Sequence, residues 1–315
     1  PGLHHRSPGN HRVNGERPSN ARLYFLLAWM VIFWALNYVI GKVALREFPS
    51  VLLACLRLQI AAVAILPIYL SRRRDRSEIW NSRELVRVAT IGFFGLIMNQ
   101  FLFVVALART SVAHTALGVA CAPILVLLLA AAIGQERITW RKTLGMLIAA
   151  AGVLILQIFK ESGSTATPAG DGYILLFACA FAFYSVKGKE ITQRFGSLTV
   201  NTIAYVSGAI VLAPLTLWSS AHFDYARVSA AAWASLIFMA IFPAVLSTLI
   251  FYYALTYLPA SRVSAVLYLQ PLLATLLAIP TLGEPVGVSL AIGGILILIG
   301  VYITEHNRAS ARERS

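Results

Sequence analysis

Few side chains able to make or break bonds stand together in this chain. His114 and His222 are isolated, and no His-X-X-His pair or Asp-rich loop occurs. No Gly-X-X-X-X-Gly-Lys-Ser/Thr loop is present to hold a nucleoside triphosphate. Cys55, Cys121 and Cys179 each sit inside an apolar stretch, where packing is a simpler use than a disulfide or a metal. Enzyme chemistry, a metal site and a cofactor are therefore not expected. The sequence does place polar groups deep within apolar runs: Asn37, Arg57, Asn99, Gln100 and Gln270. Trp34, Tyr38, Tyr184, Tyr205, Tyr252 and Tyr268 lie at similar depth. Such groups are costly in an apolar medium unless they face a cavity or a partner, so their chemistry would be the binding of a small solute.

The elements that position them are set by composition. The chain is 58% hydrophobic and 12% charged, with a mean hydropathy of +0.75; a soluble domain carries about 25% charged residues. Apolar stretches of spanning length are expected at Leu23–Val39, Val51–Leu70, Val88–Leu107, Val112–Ile133, Thr143–Phe159, Gly172–Val186, Val200–Trp218, Ala232–Ala254, Val263–Leu282 and Val286–Ile303. In hydrocarbon each must satisfy its own backbone, so all are expected to be helices. The fold class is an all-α integral membrane protein with ten transmembrane helices.

These stretches form two copies of one unit. Pro123 and Pro271, Glu136 and Glu284, Gly145 and Gly293, and Gly152 and Gly300 repeat at 148 residues. Gly41-Lys42 and Gly188-Lys189, Phe48 and Phe195, and Pro67 and Pro214 repeat at 147. Residues 23–160 form the first five-helix unit and 172–304 the second, joined by the polar linker 161–171, with tails at 1–22 and 305–315. Five is odd, so the second unit crosses the membrane in the opposite sense. Inverted repeats are a recurring plan of secondary transporters, whose site lies near midplane between them.

Basic residues orient the chain. With the N-terminus inside, inner segments hold 20 Lys and Arg against 5 outside, which makes both termini cytoplasmic. The net charge of +13 is then a topology signal and an attraction to anionic lipid, with no nucleic acid implied. The first 22 residues lack an apolar run, so no cleavable signal peptide is expected and this tail is expected to be disordered. The chain opens on Pro1, which leaves its true start open.

Trp34-Ala-Leu-Asn-Tyr-Val-Ile-Gly-Lys42 resembles the first-helix motif of EamA-type members of the drug/metabolite transporter superfamily. Phe48-Pro-Ser…Arg57 is similar to that family's second helix. Ala116…Pro123…Gly134-Gln-Glu136 and Val263…Pro271…Leu282-Gly-Glu284-Pro repeat its Pro…Gly-Glu signature. The resemblance covers residues 23–304 and implies a ten-helix, two-repeat carrier of metabolites in the cell (inner) membrane, with export of amino acids or related compounds its commonest implication.

All thirteen Asp and Glu lie outside the ten spans. A carboxylate-driven organic-cation exchanger is thereby disfavoured, and positive charge at depth points to an anionic group on the substrate. Arg57 lies about 10 Å below the outer surface at about 1.5 Å per residue. It either snorkels, bonds a neighbouring carbonyl, or contacts substrate. Lys187 can snorkel inward, His114 can be merely interfacial, and Arg262 is most simply a topology charge. Asn37 and its mate Tyr184 sit about 22 Å along their helices from opposite faces. Helix–helix hydrogen bonds would explain each polar group singly, and a shared cavity would explain them together. Pro123 and Pro271 free the carbonyls of Val119 and Leu267, as hinges or as static kinks. The paired glycines suit close packing, and Glu136 and Glu284 local caps or pairs. The expected function is a secondary transporter working by alternating access. A lipid or lipid-linked-sugar flippase and a drug or organic-cation exporter stay open as alternatives. A small-molecule substrate and the bilayer are the expected partners, and a homodimer is left open.

Overall fold

The computed structural model describes residues 18–72, 81–109, 112–158, 167–282 and 288–305. Glu284, the side chain of His114, most of the linker and most of both tails lie outside the described residues. Helix is the only regular structure among the rest. We label the rods α1 (Asn20–Ala44), α2 (Ser50–Arg72), α3 (Ser82–Arg109), α4 (Val112–Ala132) and α5 (Trp140–Ile158). After the linker come α6 (Pro168–Phe195), α7 (Ser197–Ser220), α8 (Ala230–Tyr257), α9 (260–282) and α10 (Val288–Glu305). By length and composition, α1, α2, α3, α7 and α8 can cross a membrane, and Val119–Ala132 and Ala291–Thr304 are shorter apolar helices.

Polar caps begin the rods. Side chains of Ser19, Asn81, Thr167 and Ser229 accept backbone N–H groups two or three residues on. The stretch expected at Gly172–Val186 is a longer helix, because good helix formers continue it to Gly196 at φ 82°. Lys187, Lys189 and Arg194 thus ride on α6 and not in a loop. Two rods contain π turns, α3 at Phe93–Ile97 and α8 at Ala240–Leu246, and α9 contains a 3-10 turn at Val266–Tyr268. Both π turns fall at matching positions of the repeat, with Gly95 in one and Pro243 in the other.

The packing obeys an exchange rule. α5 lies on α10, and α2 lies on α7. α4 against α6 is matched by α9 against α1, and α3 against α7 by α8 against α2. Early α5 meets late α10: Gly145 abuts Gly300 and Thr304, while Gly152 abuts Gly293 and Ile297. The two helices are therefore antiparallel, and a 148-residue shift turns the pair Gly145–Gly300 into Gly293–Gly152. A large core holds α1–α4 and α6–α9 together, and a smaller one, around Tyr268, Met146 and Ile297, joins α4, α5, α9 and α10. Leu66, Ile210, Trp218 and Ile295 are exposed on the outside, a surface suited to hydrocarbon.

Candidate substrate cavity

The π turn of α8 organises the centre. Pro243 has no N–H, so the carbonyl of Met239 loses its α-helical donor. Arg57 of α2 supplies one, its Nε donating to Met239 O at 3.0 Å. Trp34 Nε1 donates to the carbonyl of Pro243 at 2.9 Å, and the Tyr205 hydroxyl donates to that of Ala244. Three helices thus plug donors into one irregular turn. Pro243 was missed by sequence reasoning; its signal was a second helix breaker at the position of Gly95 in the repeat.

Beside this turn lies a cavity. Trp34, Asn37 and Tyr38 of α1, Arg57 of α2, Asn99, Gln100 and Phe103 of α3, and Val119 and Ala122 of α4 line one side. Phe177 and Phe181 of α6 and Leu267 and Gln270 of α9 line the other. All are buried except Trp34, which is half-buried. Tyr38 donates to Gln270 Oε1 at 3.3 Å, Asn99 Nδ2 to Phe177 O at 3.1 Å, and Gln100 Nε2 to Thr248 Oγ1 at 3.4 Å. Asn37 Oδ1 and Arg57 Nη1 are buried with no hydrogen-bond partner among the described residues. The guanidinium carbon stands 5.9 Å from the centre of the Phe103 ring.

Seven of the eleven polar and aromatic residues expected at the site therefore share one cavity. Tyr184 and Tyr252, 4.5 Å apart between ring centres, line an adjoining space that also touches Trp34, Asn99 and Gln100. Tyr268 lies in neither; it is buried in the smaller core. Pro123 sits inside a continuous helix, while Pro271 follows the 3-10 turn of α9. Phe103, Phe177 and Phe181 were not singled out, since phenylalanine in an apolar span carries no signal of its own.

One end of the molecule is fastened by polar contacts between the halves. Glu136, after α4, accepts the backbone N–H of Ser261 at 3.0 Å, the Ser261 hydroxyl, and Lys142 Nζ at 2.8 Å. It thus caps the start of α9 in the other half as well as pairing locally. Burial pushes its carboxyl up, but Lys142 and Ser261 outweigh that and hold it below the usual carboxylate range. Gln135 Nε2 donates to Glu190 Oε1 at 2.8 Å, and Arg194 pairs with Glu84. Lys189 donates to Leu258 O at 3.2 Å. At the far ends of α1 and α3, Lys42 donates to Leu107 O at 2.6 Å, and Glu47 accepts from the N–H and hydroxyl of Ser229 at 2.6 and 2.7 Å.

The model of the EamA-like transporter family matches residues 21–158 and again 168–305. An uncharacterized transporter of Archaeoglobus fulgidus is 29% identical over 287 residues, covering 90% of this chain and 99% of its own. A protein of Streptantibioticus cattleyicolor named a probable terminal-alkyne amino-acid exporter is 26% identical over 298 residues, 94% of this chain and 97% of its own. One crystal structure superposes with a TM-score of 0.73 at 19% identity, over 94% of this chain and 100% of that one, and speaks to the fold alone.

Proposed function

The chain belongs to the EamA-like transporter family, and from that membership we propose a secondary carrier that moves a small organic metabolite by alternating access. Ten spans in two inverted units would rock about the cavity, with both termini cytoplasmic in the inner membrane. The observation that carries the reading is the cavity itself, buried, mostly apolar with a few polar groups, and lined by α1–α4 from one half and α6 and α9 from the other. The exchange rule in the packing and the antiparallel contact of α5 with α10 support inversion. Contacts between the halves also sort as that topology requires. Glu136, Ser261, Glu190, Glu84 and Arg194 meet at one end, and Glu47 and Ser229 at the other.

The buried lining favours a soluble cargo over a lipid, which would need a side entrance between helices. An amino acid or a related compound is the cargo suggested by the resemblance and by the name of one relative. The direction proposed is export. Purified protein in liposomes loaded with single metabolites should exchange at least one of them for external label. A panel of amino acids, other organic acids, nucleosides and organic cations with no protein-dependent exchange would overturn the proposal.

A further inference from the structure

Arg57 is 1% exposed, yet among the described residues no carboxylate stands against it. Among the described residues, the cavity is lined by amides, a phenol, an indole and apolar groups, with the guanidinium the only formal charge. One edge of that guanidinium is spent on the carbonyl that Pro243 releases. The other presents Nη1, buried and without a partner. Burying a charged donor unsatisfied is expensive, and a protein that does so gains when a ligand completes the pair. Arginine's planar fork of donors matches the two oxygens of a carboxylate.

We propose that Arg57 is the anion-binding group of this cavity, held ready by its Nε–Met239 bond and taking the carboxylate of a small amphipathic solute. Asn37 Oδ1, the second unpartnered polar atom of the same lining, accepts an N–H of that solute. Phe103, Phe177 and Phe181 cover its apolar part. The inference rests on the carrier reading and names the chemical class of the cargo: an acid that also carries a hydrogen-bond donor. Binding would pair the cavity's guanidinium with a carboxylate, so the loaded carrier could rearrange without moving an unpaired guanidinium through an apolar medium.

The test uses each of the common L-amino acids paired with its α-amide, which keeps shape and amino group but removes the anion. Thermal unfolding and tryptophan fluorescence of the purified full chain, with Trp34 in the lining, report binding. At least one acid should raise the unfolding temperature in a dose-dependent way, with its amide at least tenfold weaker. Arg57→Gln should lose that preference, and Arg57→Lys should retain part of it. Because the wild-type comparison of acid and amide needs no variant, poor folding of Arg57→Gln cannot mask the answer. Amides that bind as well as their acids, or an Arg57→Gln protein with unchanged acid binding, would reduce Arg57 to a structural tether. No shift from any acid also overturns the proposal. Exchange of a neutral or cationic solute in liposomes would then leave the carrier reading standing.

Discussion

Glu136 shows how one side chain can join two parts of the chain that are 125 residues apart. Its carboxylate satisfies the start of α9, a donor in the other half, while Lys142 balances its charge. Glu136→Ala should lower stability by about 1–3 kcal/mol, the range for a buried charge-assisted bond left unmade. The pH dependence has a definite sign. A carboxyl held below its ordinary value of 4.5 adds stability above that value and loses it as pH falls through the folded value. Glu136→Gln should therefore flatten the acid limb of thermal stability below about pH 4.5, leaving the neutral region lower but level. An unchanged acid limb would remove Glu136 from the fastening. Asn37, Arg57, Asn99, Gln100 and Gln270 were legible in the sequence because a polar group in an apolar run has few cheap explanations. The partner of Glu136 was not, since nothing local marks Ser261 as its donor. Tyr268 misled for the opposite reason: an aromatic ring with a hydroxyl packs in a core as readily as it lines a cavity.

At the scale of elements, irregular turns and tight helix contacts divide the labour. The π turn of α8 releases carbonyls that receive Arg57, Trp34 and Tyr205. Pro243→Ala would restore an N–H able to compete for Met239 O, so acid binding at Arg57 should weaken about fivefold, roughly the value of one ordinary hydrogen bond. Titration of the acid found in the paired panel reads this directly. The contact of α5 with α10 depends on the absence of side chains. A Cβ on Gly300 would lie 2.5 Å from the backbone N of Ala149, and one on Gly145 would lie 2.7 Å from Gly300 O. Gly300→Leu should cost about 1–3 kcal/mol by overpacking. Gly172→Leu, with nothing within 4 Å of its Cβ, is the matched control. Equal folded yields and unfolding temperatures for the two would refute this account. The helical segments and the paired glycines were legible because period, length and repetition write them directly. The π turns were not, because a Gly and a Pro at matching positions need not break a helix.

For the whole molecule, the carrier reading requires the fastened end to open. Gln135 of the first half and Glu190 of the second touch there through a 2.8 Å hydrogen bond. With Cys55, Cys121 and Cys179 replaced by serine or alanine, Gln135→Cys with Glu190→Cys should accept a short thiol-bridging reagent. A cleavable bridge should abolish exchange, and reductant should restore it. Full exchange by the bridged protein would show that this end need not part. The two-unit plan was legible from the 148-residue register alone, whereas the contacts that bind the units together arise only when the copies meet.

Two of those contacts have a history written into them. Gln100 bonds Thr248, its own counterpart 148 residues on, and Trp34 meets its counterpart Phe181 edge to face at 6.4 Å. A residue that touches its own counterpart lies on the axis relating the two units. In a half-length ancestor it would have touched itself across a dimer of identical chains. Such a position cannot be altered singly before duplication, for every change arrives twice. Fusion into one gene lifts that constraint, letting one copy become a donor and the other its acceptor. The pocket's asymmetry, with a single arginine on one side, is the kind of specialisation that only the fused chain permits.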